Sequence, residues 1–180
     1  MKTYKMTIAG LERELPIFPI NDDVSIAAFI MFGDAELTVK SAEELLKKCP
    51  EFDYILTPEA KSIPLGHEMS RQSGKKYFVA RKGPKLYMGN PLKVSVKSIT
   101  TASVQELYLS EYEAEEIKGK KVLIVDDVIS TGESLIAVKK LCEVAGCEVA
   151  GCCSVLAEGD AANRDDIIFL EPLPLIFNKG

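Results

Sequence analysis

Residues 122–134, VLIVDDVISTGES, constrain the fold more than any other part of the chain. Residues 122–125 are apolar and mostly β-branched, which is typical of a fully buried strand. Two carboxylates follow them, then a short turn of hydroxylated residues and glycine, and an apolar helical pattern begins at Leu135. The N–H groups of such a turn and the N-terminus of the helix can bind a phosphate. Because Asp126 and Asp127 can accept hydrogen bonds from vicinal hydroxyls, the segment predicts a site for a ribose that carries a 5′-phosphate.

Other motifs with glycines or paired aspartates fit this segment less well. A Walker A loop requires Gly-Lys-Ser/Thr, whereas Gly132 is followed by Glu133, and the sequence contains no G-x-G-x-x-G. Receiver domains of two-component signalling also place paired aspartates after a strand, but near the start of the domain. Only 53 residues follow Asp127, fewer than the rest of such a domain needs. An ordinary buried strand with an acidic end would explain residues 122–127 but not the turn after them.

Composition favours one globular domain over residues 1–180. The hydrophobic fraction is 47% and the net charge is −5, without a Lys/Arg cluster of the kind that binds nucleic acid. No apolar run approaches the roughly 20 residues of a membrane span, and the N-terminus lacks the apolar core of a signal peptide. Five cysteines without C-x-x-C spacing favour buried free thiols over a zinc site. We therefore expect a cytoplasmic protein that binds neither nucleic acid nor a membrane.

Strand and helix patterns alternate along most of the chain, which predicts a parallel α/β sheet flanked by helices. The predicted strands are residues 52–57, 76–82, 120–127, 147–157 and 166–170. One predicted helix runs from Ser41 to about Cys49, a second follows the strand 52–57 and ends near Gln72, and a third runs from Leu135 to about Ala145. Ser41 and Glu44 form a capping box for the first of these helices. Substrate should lie at the carboxyl ends of the strands, where Glu59, Lys82 and Asp126 fall.

Two segments stand outside this alternation. Residues 1–35 are predicted to be an irregular entry, because two prolines in LPIFPI (15–20) force an extended backbone, and a short apolar helix is expected after Asp22. Residues 83–103 are rich in glycine, proline and lysine, and we expect a hairpin-like flap that is mobile without ligand.

The segment 122–134 resembles the PRPP (phosphoribosyl pyrophosphate) signature of the type I phosphoribosyltransferases, which has four hydrophobic residues, two acidic residues and an A/S-T-G loop. The resemblance implies an α/β fold with a parallel-sheet core, a small N-terminal hood over residues 1–40 and a flexible hairpin flap over residues 83–103. It implies that Asp126 and Asp127 act at the ribose during catalysis. The loop implied to bind the 5′-phosphate consists of Val128, Ile129, Ser130, Thr131, Gly132, Glu133 and Ser134.

Two further segments resemble parts of the same family in the same order. ILTPEAKSIPLGH (55–67) resembles the pyrophosphate loop, which implies that Glu59, Ala60 and Lys61 lie at the pyrophosphate of PRPP. Arg81 and Lys82 resemble the strand end before the mobile catalytic loop in adenine- and xanthine-type members, which implies cationic contact to pyrophosphate, often across a dimer interface. For residues 55–67 the alternative is an ordinary strand-to-helix connection, and for Arg81 and Lys82 it is a solvated strand end.

The resemblance implies transfer of the 5-phosphoribosyl group from PRPP to a purine base by a homodimer. It also implies Mg²⁺, held mainly through the substrate, with Asp126 and Asp127 as candidate ligands. The alternative is a non-catalytic PRPP-sensing regulator on the same fold. Residues 100–104, TTASV, resemble the corresponding segment of xanthine-type enzymes and lack the Glu-Tyr-Gly of adenine enzymes. Glu106 is nearby but does not fit that motif, so the general acid/base stays unassigned.

The identity of the base is weakly encoded. Phe18 in the implied hood is a candidate for stacking on the base, and filling the core is the alternative. After the strand that ends at Leu156, enzymes for 6-oxopurines commonly place a lysine, whereas this chain has Glu158. Because a carboxylate can accept a hydrogen bond from an exocyclic amine, Glu158 favours adenine over xanthine, guanine or hypoxanthine, whereas the resemblance of residues 100–104 to xanthine-type enzymes argues against adenine.

Overall fold

The computed structural model describes residues 2–97 and 104–177. The strands are β1 (Thr3–Ile8), β2 (Leu11–Pro19), β3 (Val24–Ala27), β4 (Tyr54–Pro58), β5 (Tyr77–Ala80), β6 (Leu92–Lys97), β7 (Val104–Leu109), β8 (Lys121–Ile129), β9 (Glu148–Glu158), β10 (Ile168–Leu173) and β11 (Ile176–Phe177). The helices are α1 (Ala35–Leu46), α2 (Ile63–Ser73), α3 (Glu111–Ile117) and α4 (Glu133–Ala145). No helix in these two ranges is long and apolar enough to cross a membrane.

A five-stranded parallel sheet with the order β10-β9-β8-β4-β5 forms the centre of the molecule. Residues 122–125 of β8 are at most 2% exposed, as expected for a central strand covered on both faces. Because all five strands are parallel, their carboxyl ends meet at one edge of the sheet. The predicted α/β fold with a parallel-sheet core is confirmed.

Two apolar layers cover the sheet, and β8 contributes to both because alternate side chains point to opposite faces. On one face, Val122 and Ile124 pack in a cluster with residues of α4 and of the β6–β7 hairpin. On the other face, Leu123 and Val125 pack in a cluster with residues of α1 and α2. The same alternation continues beyond Val125, and it decides where the two aspartates that follow can point.

The N-terminal segment is a sheet, so the prediction of an irregular entry over residues 1–35 was wrong. Strands β1, β2, β3 and β11 form a four-stranded antiparallel sheet in the order β1-β2-β3-β11, here called the hood sheet. Exposed and more buried residues alternate along β1, a pattern typical of a strand. Pro16 lacks an N–H but still accepts a hydrogen bond from Ala28 N, at 2.8 Å, so the prolines do not interrupt the pairing.

One helix prediction was also wrong, and the start of another helix was misplaced. The residues after Asp22 form strand β3 rather than an apolar helix, because β3 pairs with β2 just before it in the chain and with the distant β11 on its other side. Helix α1 begins six residues before the predicted capping box, with Asp34 as its N-cap accepting from Leu37 N at 3.0 Å. Ser41 is fully buried inside this helix and therefore caps nothing.

Strands β6 and β7 pair as an antiparallel hairpin, from Leu92 opposite Leu109 to Lys97 opposite Val104. The hairpin predicted within residues 83–103 is found in part, because β6 lies in that range while its partner β7 follows it and ends at Leu109. Its mobility stays a prediction. Residues 98–103, which include most of the TTASV motif, lie outside the described residues.

The cysteines are free thiols, as predicted; Cys142, Cys152 and Cys153 are buried. His67 lies exposed on α2, and its ring and that of Tyr77 are in edge-to-face contact.

Candidate active site

A cleft of about 520 Å³ opens at the carboxyl edge of the central sheet. Its lining comes from the end of β8, the start of α4, the start of β7 and the residues just after β5. The lining residues are Lys82, Val104, Gln105, Glu106, Asp126, Val128, Ile129, Ser130, Thr131, Gly132, Glu133, Ser134 and Leu135. Every residue of the predicted phosphate loop thus contributes to one cavity, together with Asp126 and Lys82.

The predicted phosphate loop, residues 128–134 and here called the phosphate loop, turns sharply between β8 and α4. Gly132 has φ +82° and is the N-cap of α4, and its carbonyl accepts the first helical hydrogen bond from Ile136 N at 2.9 Å. A residue with a side chain adopts this left-handed conformation at a cost, whereas glycine does so freely. Since the first N–H groups of a helix have no helical carbonyl to pair with, this end of α4 offers donors and a positive dipole end to the cleft.

Asp126 is the carboxylate that faces the phosphate loop. Its side chain is partly buried, and Oδ1 accepts from Asp127 N at 2.9 Å. Burial, and then the neighbouring charge of Asp127, raise the pKa of Asp126 to about 7. The group can therefore exist in both protonation states near neutral pH, which makes it a candidate for electrostatic or acid–base work at the sugar.

Asp127 points to the other face of β8, away from the phosphate loop. It is 3% exposed and is not among the described residues that line the cleft. Lys61 Nζ lies 3.0 Å from its Oδ2, an ion pair whose angles fall outside those of a hydrogen bond. The two predicted catalytic aspartates are therefore separated: Asp126 lies in the cleft, and Asp127 holds a lysine of the predicted pyrophosphate loop.

Glu59 joins the two segments predicted to bind pyrophosphate. Its Oε2 accepts from Arg81 Nε at 3.1 Å and from Lys82 N at 2.9 Å. The Lys82 N–H and the Arg81 guanidinium hold the pKa of Glu59 below its ordinary value. The peptide bond between Glu59 and Ala60 is cis. Glu59 is thus committed to orienting the Arg81–Lys82 strand end, while the Lys82 side chain reaches the cleft.

Glu106 lies in the cleft but is already paired. Lys93 Nζ is 2.6 Å from its Oε1, and the Tyr108 hydroxyl donates to its Oε2 at 2.8 Å. These two partners, Lys93 first, lower the pKa of Glu106. A carboxylate held in its ionised form by a lysine is a weak general acid, so the general acid/base stays unassigned.

Phe18 and Glu158, the two residues expected to contact the purine base, are not among the described residues that line the cleft. Phe18 is 46% exposed on β2, so it does not fill the core. Glu158 is the last residue of β9, at the carboxyl edge of the sheet, and a short 3₁₀ turn, Gly159–Asn163, follows it.

Arg164 follows that turn and was not predicted from the sequence to lie near the cleft. Its guanidinium lies against Gly132 of the phosphate loop, 32 residues earlier in the chain. No local pattern signals such a contact, because it depends on how the segment after β9 returns to the start of α4.

The fold and the cleft together define a class: α/β proteins in which a turn suited to binding an anion, a carboxylate and cations lie at the carboxyl edge of a parallel sheet. Within that class, a sequence model of the phosphoribosyl transferase domain matches residues 32–175. The chain belongs to the phosphoribosyltransferase family, whose members are enzymes, and the resemblance drawn from residues 122–134 is confirmed.

Similar proteins include hypoxanthine/guanine and adenine phosphoribosyltransferases. The chain is 36% identical over 149 residues to a hypoxanthine/guanine phosphoribosyltransferase of Methanococcus voltae, covering 82% of this chain and 73% of that protein. It is 32% identical over 173 residues to an adenine phosphoribosyltransferase of Thermosipho africanus, covering 91% and 94%. A crystal structure of adenine phosphoribosyltransferase from Thermoanaerobacter pseudethanolicus superposes with a TM-score of 0.66 at 26% identity, covering 77% of this chain and 82% of the other.

Proposed function

We propose that this protein transfers the 5-phosphoribosyl group from PRPP to a purine base, releasing pyrophosphate and forming a nucleoside 5′-monophosphate. The observation that carries the proposal is the single cleft shared by the phosphate loop, Asp126 and Lys82. The names of the similar proteins support a purine as the acceptor, since both groups act on purine bases.

The phosphate loop would hold the 5′-phosphate of the ribose. Backbone N–H groups at the start of α4 and the hydroxyls of Ser130, Thr131 and Ser134 are the donors, and hydrogen bonds to a charged group are the stronger ones. Anchoring this remote phosphate fixes the sugar, so that C1 is positioned for the incoming ring nitrogen.

Asp126 would stabilise the reaction centre. Displacement of pyrophosphate from C1 passes through a state with oxocarbenium character, whose positive charge a nearby carboxylate favours. Because the pKa of Asp126 is raised to about 7, its ionised fraction in the free protein grows as the pH rises through neutrality.

The leaving pyrophosphate would lie between the two basic segments. Lys82 lines the cleft, and Glu59 orients the strand end that carries Lys82 and Arg81. Lys61 is about half exposed, and Asp127 keeps it at the end of β8. Positive charge near the departing group lowers the cost of the negative charge that develops there.

Mg²⁺ is the proposed cofactor. Within residues 2–97 and 104–177, no cluster of three or more His, Cys, Asp or Glu side chains could hold a metal by itself. Asp126 offers one partly exposed carboxylate, which fits Mg²⁺ because this ion is commonly held by one or two carboxylates together with substrate phosphates. When bound with PRPP, Mg²⁺ would neutralise charge on the pyrophosphate.

Adenine is the proposed base, and Glu158 carries this choice. It ends β9 at the carboxyl edge of the sheet, where a carboxylate can accept from an exocyclic amine but would repel a carbonyl oxygen. Phe18, half exposed on the hood sheet, is the proposed stacking partner of the base.

The test is release of pyrophosphate from PRPP and Mg²⁺ with adenine, hypoxanthine, guanine or xanthine. We expect turnover with a purine, fastest with adenine. Glu158→Lys should shift the preference toward 6-oxopurines, while Asp160→Asn, at an exposed carboxylate two residues further on, should not. Binding of PRPP without turnover on any base would replace the proposal by a PRPP-sensing regulator.

The homodimer and the cytoplasmic location stay predictions. Sedimentation of the purified protein at several concentrations would test the dimer.

A further inference from the structure

A guanidinium is in contact with the phosphate loop at its glycine. A methyl group placed on Cα of Gly132 would lie 2.6 Å from Nη1 of Arg164, well inside van der Waals contact. Gly132 therefore serves two purposes, because its φ of +82° requires glycine and because a side chain would displace Arg164. Arg164 is not among the described residues that line the cleft, so it contacts the loop from outside.

Arg164 is fixed in this place by a two-pronged pair with Asp166. Nε donates to Oδ1 and Nη2 donates to Oδ2, both at 2.8 Å. Lys139 of α4 also contacts Asp166 Oδ2, at 3.2 Å. The Asp166 carboxylate thus accepts from Nε and Nη2 of the guanidinium, and the third nitrogen, Nη1, lies against Gly132. The segment after β9 is thus tied to α4 at the loop and again further along the helix.

This arrangement places a permanent positive charge beside an anion site. A guanidinium stays protonated throughout the physiological range, and its rigid fork keeps it where the Asp166 carboxylate holds it. A phosphate in the loop carries up to two negative charges, and an additional cation a few ångströms away stabilises it without touching it. Asp166 offsets part of that charge, but Lys139 compensates Asp166.

We propose that Arg164 is a positioning residue for the 5′-phosphate, which it stabilises from behind the loop through its charge and its contact with Gly132. The inference rests on the proposed function, since it assigns the loop to the 5′-phosphate of PRPP. It predicts that Arg164 matters for ligands with a 5′-phosphate and not for pyrophosphate, which would lie at the other end of the cleft.

The experiment compares Arg164→Gln and Arg164→Lys with the unaltered protein, using calorimetric titration with ribose 5-phosphate and, separately, with pyrophosphate and Mg²⁺. Arg71→Gln is the matched control, since Arg71 makes the same kind of two-pronged pair with Glu68 on α2. Arg164→Gln should weaken ribose 5-phosphate about tenfold. Arg164→Lys, which keeps the charge but not the fork that Asp166 holds, should lose clearly less than Arg164→Gln, and the control should stay within about twofold. The deficit of Arg164→Gln should shrink as salt is raised, because the charge is partly exposed to solvent.

Several outcomes would overturn the inference. The first is an affinity for ribose 5-phosphate that is the same in Arg164→Gln and in the parent. The second is a loss of this affinity that is as large in Arg164→Lys as in Arg164→Gln. The third is a loss of affinity for pyrophosphate in Arg164→Gln that equals its loss for ribose 5-phosphate. If Arg164→Gln does not fold, Asp166→Asn replaces it as the test, because this variant releases the Arg164 side chain and keeps its charge. An unchanged affinity of Asp166→Asn for ribose 5-phosphate refutes the positioning role, and a weakened affinity supports it. A parent protein that binds pyrophosphate but not ribose 5-phosphate refutes the assignment of the loop, and one that binds neither refutes the proposed function itself.

Discussion

Replacing Asp126 with asparagine should stabilise the free protein, and the gain should grow as the pH rises. Asparagine keeps the shape of the side chain and removes a charge that is half buried beside Asp127. Burial and this neighbouring carboxylate raise the pKa of Asp126 from the ordinary 3.8 to about 7. Between these two values the folded chain keeps a proton that the unfolded chain has already lost, so the free energy of unfolding falls as the pH rises.

The size of the effect follows from the same shift. One pKa unit corresponds to about 1.4 kcal/mol. Integrated between about pH 5 and about pH 8, the loss of unfolding free energy in the parent protein is about 2 kcal/mol, after a modest reduction because Asp126 is partly open to solvent in the cleft. The asparagine variant lacks this loss, so its advantage over the parent should be larger by that amount at the higher pH.

The assay is urea unfolding of the ligand-free proteins at a series of pH values. Asp160→Asn serves as the control, since it removes a carboxylate that is exposed, and its difference from the parent should change little with pH. A gain for Asp126→Asn that is the same at both ends of the range would refute the reasoning, because it would mean that ionisation of Asp126 costs the fold nothing.

Three further predictions concern substrate. The double variant Thr131→Val and Ser134→Ala should bind PRPP more weakly in calorimetry, by about 1.5–3 kcal/mol for each lost hydroxyl donor, and unchanged affinity would contradict the loop assignment. Glu59→Gln should raise the KM for PRPP about tenfold while the fold survives, since a charge-assisted contact that orients Arg81 is weakened; an unchanged KM would show that Arg81 needs no such support. In limited proteolysis, trypsin should cut within residues 83–97 in the free protein and less with PRPP and Mg²⁺, and equal cutting in both states would argue against a closing flap.

The central sheet and the turn between β8 and α4 could be predicted because their signals are local. A buried strand, a turn and a helix start follow one another within residues 122–134, and backbone geometry alone then places Asp126 at the carboxyl edge. The order of Glu59, Lys82 and Asp126 along the chain was sufficient to bring their strand ends together, because parallel strands leave little choice.

The errors arose where the structure depends on distant partners. The hood sheet requires pairing between β3 and β11, at opposite ends of the sequence, so its short strands give little signal when read alone. The separation of Asp126 from Asp127 is encoded by strand alternation, but the partner Lys61 lies on another loop. The contact between Arg164 and Gly132 could not be predicted for the same reason, since it joins two segments that no sequence motif connects.

The pairing of Ile176 with Ser25 has a consequence for how the chain matures during synthesis. About 150 residues separate these partners, so a nascent chain presents β1 to β3 long before their fourth strand has been translated. At roughly 5–20 residues per second, the ribosome needs a few seconds to pass from the end of α4 to β11. During that interval the edge of β3 has unpaired N–H and C=O groups, which other chains can bind. Translation pauses or stop codons between α4 and β11 should therefore favour aggregation while leaving the sequence of the phosphate loop untouched.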